Sequence, residues 1–468
     1  MKAMFGSVSG HDPYKKIIME TASLSLAFTF AQKILGHFVL RQEAHLPAKS
    51  ASPTACPRHR HCLPGVPVIF SLLYHKGSMK KNYLIITFLM IFVLLGCPPP
   101  KARKKMPRIF ALSYSMETGK EPSFLITDDF NRNNKLDLVV VNSGDHSFSF
   151  YKGNGDGTFK DQRVFRTGRD PICLVSADFN DDGYKDVGVL NYADQTIQIY
   201  LNTRLGSFQK TTQLLKPGKI PINMASGDFN GDGRMDLIVT MRFSNVVRML
   251  GKGNGYFSEP HSIDVKGQPT GVVVGDYNQD GMTDVAVALA GTGNKGVQIL
   301  WGKGNGEFES SKVFKAGKQP LSIVSLDVNN DGLMDFVTSS NSLHALTTIV
   351  NNGDKTFDSL RDFASGNFPK FVVASDFTGD GLQDIAVSNA TDDAITISLG
   401  KGDGTFTYPP IYHTVDEHPQ GMAVGDFNGD GLIDIAVSCR DKNLIDILSK
   451  KNMINPKPDL PQRESKSS

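Results

Sequence analysis

The residues best suited to chemistry stand in one nine-residue stretch, Asp228-Phe229-Asn230-Gly231-Asp232-Gly233-Arg234-Met235-Asp236. Side-chain oxygens fall at positions one, three, five and nine, position seven offers a backbone carbonyl, and the glycine at six allows a sharp turn. An all-oxygen donor set with three carboxylates suits a hard dication, and Ca2+ is the expected ligand. Without a cation the carboxylates would repel one another across a few ångströms. Six relatives begin at Asp129, Asp178, Asp276, Asp327, Asp376 and Asp426, with successive starts 49, 50, 48, 51, 49 and 50 residues apart.

The copies differ in quality. Five keep three Asp, an Asn at position three and the glycine. Their expected ligands are Asp178, Asn180, Asp182 and Asp186; Asp228, Asn230, Asp232 and Asp236; Asp276, Asn278, Asp280 and Asp284; Asp327, Asn329, Asp331 and Asp335; and Asp426, Asn428, Asp430 and Asp434. The sixth, Asp376, Thr378, Asp380 and Asp384, has a poorer hydroxyl ligand at position three. The first, Asp129, Asn131, Asn133 and Asp137, has two carboxylates, with Asn134 in place of the glycine. Five strong calcium sites and two weaker ones are therefore expected, with a structural role.

A period this regular means one unit repeated seven times. In the third repeat, Pro221 to Ala225 reads as a short inner strand and the acidic loop as its turn. Leu237 to Met241, apolar almost throughout, reads as a strand covered on both faces. Val246 to Leu250 is the third strand, Gly251 to Gly255 a turn with positive φ, and Phe257 leads the fourth, outer strand. Glycine turns followed by Phe recur at Gly153–Phe159, Gly302–Phe308 and Gly400–Phe406, with shorter versions at Gly206–Phe208 and Gly353–Phe357. One aromatic per unit, and Trp301, is expected to pack between neighbouring sheets. The seventh unit lacks a fourth strand, and Ile109 to Met116 stands ahead of the first loop to supply it. The expected fold is all-β: a seven-bladed β-propeller of four-stranded antiparallel blades over 107–450, closed by the N-terminal strand.

These repeats resemble those of the FG-GAP/VCBS superfamily, whose best-known members are the calcium-binding blades of integrin alpha subunits. The Phe-Gly and Gly-Ala-Pro elements of that family are absent, and Pro-x-x-apolar precedes most of the loops. The closer likeness is to bacterial VCBS-type repeat proteins, which weakens any transfer of integrin-like adhesion.

Ahead of the repeats, residues 1–78 show no legible fold and read as a gene-model extension. Residues 79–96 read as a signal peptide, with basic Lys80 and Lys81 before the apolar run Tyr83 to Leu95. Leu94-Leu95-Gly96-Cys97 resembles the lipobox of bacterial lipoproteins, which implies lipidation of Cys97 and a membrane anchor. Residues 97–106 form a Pro- and Lys-rich tether. The expected location is the bacterial cell envelope; no Asp follows Cys97, which favours the outer membrane. Residues 451–468 are expected to be a disordered tail. Cys173 and Cys439 lie in apolar strands and are expected as buried free thiols.

Residues 1–96 carry eleven Lys and Arg against three Asp and Glu, so the remainder of a chain with net charge +2 is acidic. That balance gives a nucleic-acid partner little support, and nothing points to an oligomer. No nucleophile elbow, zinc-protease helix or phosphate-cradling loop occurs, and six of the eleven histidines precede residue 80. The expected role is binding of a glycan or a protein partner, not catalysis. The rivals are a polysaccharide lyase or hydrolase on a propeller scaffold and an outer-envelope scaffold or assembly protein. All acidic loops join first to second strands and so share one face. On the other face a basic residue stands two places before the repeat's proline at Lys120, Arg169, Lys219 and Lys318. These four are expected to form a lopsided basic rim for an anionic glycan or an acidic protein surface.

Overall fold

The computed structural model describes residues 109–450, apart from 205, 294, 295, 341 and 361. The stretches 1–78, 79–96 and 97–106, Cys97 and the tail 451–468 lie outside them.

Seven antiparallel sheets follow one another along the chain. Their inner strands are Pro122–Asp128, Pro171–Ala177, Pro221–Gly227, Gln268–Gly275, Pro320–Leu326, Pro369–Ser375 and Pro419–Gly425. Each inner strand contacts the next, and the seventh contacts the first, so the ring is closed. Blades one to six run from inside to outside in chain order; the outer strand of the fifth is split into Phe357–Ser359 and Phe363–Ala364. The seventh is completed by the N-terminal strand Phe110–Glu117, which pairs antiparallel with Leu444–Lys450, as the sequence requires. Closure leaves the last blade's third strand paired on both sides. The described residues contain no α-helix, only a single 3-10 turn at Arg440–Lys442.

The second strand of each blade is buried along all or nearly all of its length. Asp137–Asn142, Asp236–Met241 and Asp434–Cys439, for example, are buried at every position. Their runs of Val, Ile and Leu suit a strand covered on both faces. The apolar side chains gather in seven clusters, each spanning two adjacent blades and none confined to one. A single blade therefore has no core of its own, which is why the unit must repeat and close. At the axis, Gly421 permits the last inner strand to meet the first: a Cβ there would lie 2.9 Å from the Phe124 Cα.

Candidate functional site: acidic loops and channel mouth

All seven acidic loops join an inner strand to a second strand. Antiparallel order places them on one face together with the glycine turns between third and fourth strands. Each loop is wound by its own carboxylates. The N–H of position six donates to Oδ2 of position one in all seven, at 2.6 to 2.9 Å. The N–H of position seven donates to the side-chain oxygen of position five in all seven. Position six has positive φ throughout, at Asn134 as well as at the glycines. Position four has it too, at Arg132, Asp181, Gln279 and Asn330 as well as at three glycines. That requirement was not legible, because four of the seven residues there are not glycine.

Position nine does a different job from the rest. Asp137, Asp186, Asp236, Asp284, Asp335, Asp384 and Asp434 are fully buried. Oδ1 of each accepts from a backbone N–H at or just past the end of the third strand, at 2.7 to 3.3 Å. In loops two to seven, Oδ2 accepts from the N–H of position two. Burial pushes these carboxyls up, to about 7 for Asp186 and about 6 for Asp236, and the charges at positions one and five of the same loop add to the rise. Position nine is thus a staple between the loop and the far end of its own sheet.

Position two links neighbours. Its carbonyl accepts from the following blade's turn: Phe427 from Gly157, Phe130 from Asn202 Nδ2, Phe179 from Gly255, Phe229 from Gly306, Tyr277 from Asn351 Nδ2 and Val328 from Gly404. Blade seven has no such turn, and Lys450 Nζ donates instead to the Thr378 carbonyl at 2.6 Å. Beside these bonds the aromatic at position two meets the turn Phe of the next blade edge-on, as in Phe179–Phe257 and Phe229–Phe308. Trp301 likewise stacks on Phe357 of the next blade. The expected inter-sheet aromatics are present, together with a hydrogen-bonded latch that spacing alone did not reveal.

The donor chemistry of these loops suits a cation to different degrees. In loops two to five, three carboxylates bear electrostatically on one another at position nine, with no basic side chain among the main influences. That oxygen-only, triply acidic set fits a hard dication. The first loop does not fit: it has two carboxylates where the others have three, and Lys152 offsets part of their charge. Thr378 directs its hydroxyl at Asp376 Oδ1, 3.3 Å away. Among the described residues no three His, Cys, Asp or Glu side chains already converge as a metal cluster; the carboxylates are turned onto their own loops.

The opposite face opens into a cavity of about 330 Å3 at the channel mouth. Every blade contributes to its lining the residue after its proline: Ser123, Ile172, Ile222, Thr270, Leu321, Lys370 and Gln420. Phe124 and Phe371, in edge-to-face contact at 5.1 Å, line both this cavity and a deeper one. Lys120, Arg169, Lys219 and Lys318 lie on this face at exposed turns, but none lines the mouth. Arg169 is paired with Asp194 at 2.7 Å, and Asp145 accepts from the Lys120 N–H. The rim is therefore less basic than the sequence suggests, because carboxylates of the second-to-third turns stand beside it. Cys173 and Cys439 are buried and unpaired with each other, and burial pushes the Cys173 thiol up to about 12.

Fold and loops together define a closed propeller of repeated, acidic-looped blades, an architecture of binding and scaffold proteins. A family model for the FG-GAP-like repeat matches residues 129–189, 178–239, 242–287, 276–338, 327–387 and 376–437, more than half of the chain. The chain belongs to the FG-GAP-like repeat family. No curated protein matches it. Among solved structures it is similar to BBS1N, crystallised in complex with ARL6DN and soaked with lead. That match has 12% identity and a TM-score of 0.56, covering 75% of this chain and 99% of that one. It is also similar to the BP39L lectin from Burkholderia pseudomallei, at 13% identity and a TM-score of 0.56, covering 71% and 96%. At such identities the likeness is one of fold.

Proposed function

We propose that this protein is a calcium-stabilised, lipid-anchored binding protein of a bacterial cell envelope, taking an anionic glycan or an acidic protein surface on the face away from its acidic loops. The observation that carries this reading is the contrast between faces. The loop face is consumed by staples and latches, whereas the other opens into a cavity lined by a different residue from nearly every blade. Similar folds include a lectin and a protein crystallised with a protein partner, which supports binding as the role. In the calcium reading the side-chain oxygens of positions one, three, five and nine, with the carbonyl of position seven, hold the ion. The ion balances charge and fixes a turn; no reaction step is assigned to it. Anchoring rests on Cys97 and its lipobox-like approach.

The full chain, presented to an array of acidic and neutral glycans, should retain acidic ones, with retention falling as salt rises. Replacing Lys120, Arg169 and Lys219 together with Ser should flatten that salt dependence while calcium uptake persists. Turnover of a retained polysaccharide in a reducing-end assay, or retention indifferent to salt, would overturn the reading. For the anchor, Cys97→Ser should leave the precursor unprocessed; a wild-type cellular protein that retains Met1 and carries no lipid would refute it.

A further inference from the structure

The channel mouth carries more information than its position. The seven lining residues that follow the prolines occupy one equivalent site in the repeat, yet they divide into two arcs. Ile172, Ile222 and Leu321, interrupted only by Thr270, form a largely apolar wall around blades two to five. Lys370, Gln420 and Ser123, from blades six, seven and one, form a polar wall, with Arg440 beside them. Of the apolar residues in this set only Ile172 packs against an inter-blade core, and Ile222 and Leu321 belong to none, so packing does not require the division.

The charges at the mouth are unequal in their freedom. Arg440 Nη2 donates to Glu121 Oε2 at 2.7 Å, which occupies its guanidinium. Asp170 lines the cavity as well, and the charges that act on it are those of His146, Glu121 and Arg440. Lys370 is half-buried, and among the described residues no carboxylate lies within ion-pair distance of it. Burial, and then the nearby Arg440 charge, pull its ammonium below the usual lysine range. Its ammonium stands 5.9 Å from the centroid of the exposed Phe368 ring, which supplies no full counter-charge; a cation held partly out of water in this way is costly, and an arriving anion offsets the cost.

Polar groups with capacity to spare line the same cavity. Asn223 accepts twice through Oδ1, from the Met224 N–H and the Cys173 thiol, while its Nδ2 makes no hydrogen bond among the described residues. Among the same residues the Ser322 hydroxyl makes none either, and the Gln420 side chain uses only its Nε2, toward the Pro419 carbonyl. The pocket thus offers a cation, an amide donor, an amide acceptor, a hydroxyl and an apolar wall. At about 330 Å3 it lies at the small end of ligand pockets, roughly 300–1,000 Å3.

We infer that the channel mouth binds a uronate, the carboxylate-bearing sugar unit of an acidic glycan, with its carboxylate on Lys370 and a C–H face of the ring against Ile222 and Leu321. A fatty acid would satisfy the cation and the apolar wall but would leave Asn223, Ser322 and Gln420 facing hydrocarbon. A sugar's hydroxyls both donate and accept, as those three groups require. The inference rests on the anionic-glycan reading above and names its site.

The test is calorimetric titration of the full chain with digalacturonate and diglucuronate. The methyl ester of each and an apolar tripeptide with a free carboxyl end serve as comparisons. At least one diuronate should bind, and its ester at least tenfold more weakly, since a charge-assisted hydrogen bond is lost. Lys370→Met should weaken binding at least tenfold with an unchanged melting temperature, and Ile222→Trp should block the mouth. Lys252→Met, on the exposed glycine turn of the loop face, should bind as wild type. The inference is overturned if neither diuronate binds, if Lys370→Met binds as wild type, if the esters bind equally, or if the tripeptide is preferred. Diuronate binding that survives Lys370→Met but is lost in the Lys120, Arg169 and Lys219 variant would remove the site and keep the anionic-glycan reading. Failure of every acidic glycan on the array would remove both.

Discussion

The two faces of the ring are built from the same repeat and use it in opposite ways. On the loop face every blade does nearly the same thing: position nine staples its own sheet, and the position-two carbonyl takes a donor from the next blade. Where the pattern is interrupted, a substitute appears, as with Lys450 at the blade that has no glycine turn. On the opposite face the site after each proline holds Ser, Ile, Ile, Thr, Leu, Lys and Gln in turn. Uniformity marks the positions that hold the ring together. Diversity at one equivalent position marks where the ring can distinguish a ligand.

The sharpest way to break this comparison is to withdraw calcium. A site saturated at a hundredfold excess over its Kd adds about 2.7 kcal/mol to stability, so several such sites should give a large drop in melting temperature on chelation. Asp232→Ala should remove about one site's share of that difference, and Asn133→Ala, in the first loop, almost none. Equal melting temperatures in calcium and in chelator would leave the loop face as a purely hydrogen-bonded device.

A smaller effect separates staple from ligand. Asp236→Ala strands the N–H groups of Phe229 and Gly251, both buried with it. Each unmatched group costs about 1–3 kcal/mol, so denaturant unfolding should show a loss of about 2–6 kcal/mol even in chelator. Asp232→Ala should lose little under that condition. Similar losses for both in chelator would mean that position nine has no special structural role.

Smaller again is the latch. Asn202 Nδ2 donates to the Phe130 carbonyl at 2.6 Å and to the Lys185 carbonyl at 3.0 Å. Asn202→Ala should cost about 1–3 kcal/mol and loosen the contact between blades one and two. Hydrogen exchange should show that loosening first at the amides of those two blades. The smallest change expected is on the other face, where Lys370→Met should alter unfolding by no more than about 0.5 kcal/mol. A large loss there would make the mouth a structural element and erase the distinction between faces.

Much of this was legible in the chain. Seven acidic stretches at a period near 50 residues determined the number of blades, the strand order within each and the face on which the loops lie. The missing fourth strand of the last repeat, set against Ile109 to Met116 at the front, determined how the ring closes. The glycine at position six declared its positive φ, since only a residue lacking Cβ enters that region without strain. The ligand types declared a donor chemistry, because side-chain oxygens at fixed offsets are a property of sequence.

Tertiary structure decided what those residues touch. Sequence makes all four acidic-loop positions look alike, but burial divides them, placing Asp236 among backbone donors while Asp232 stays at the turn. The contacts of Phe130 with Asn202, and of Val328 with Gly404, join residues more than seventy positions apart, and no local pattern encodes such pairs. The basic residues before the prolines were visible as a motif, yet the residues after them reach the channel. Which of two neighbours faces the axis depends on the strand's entry into the ring, and the ring exists only once all seven blades have closed.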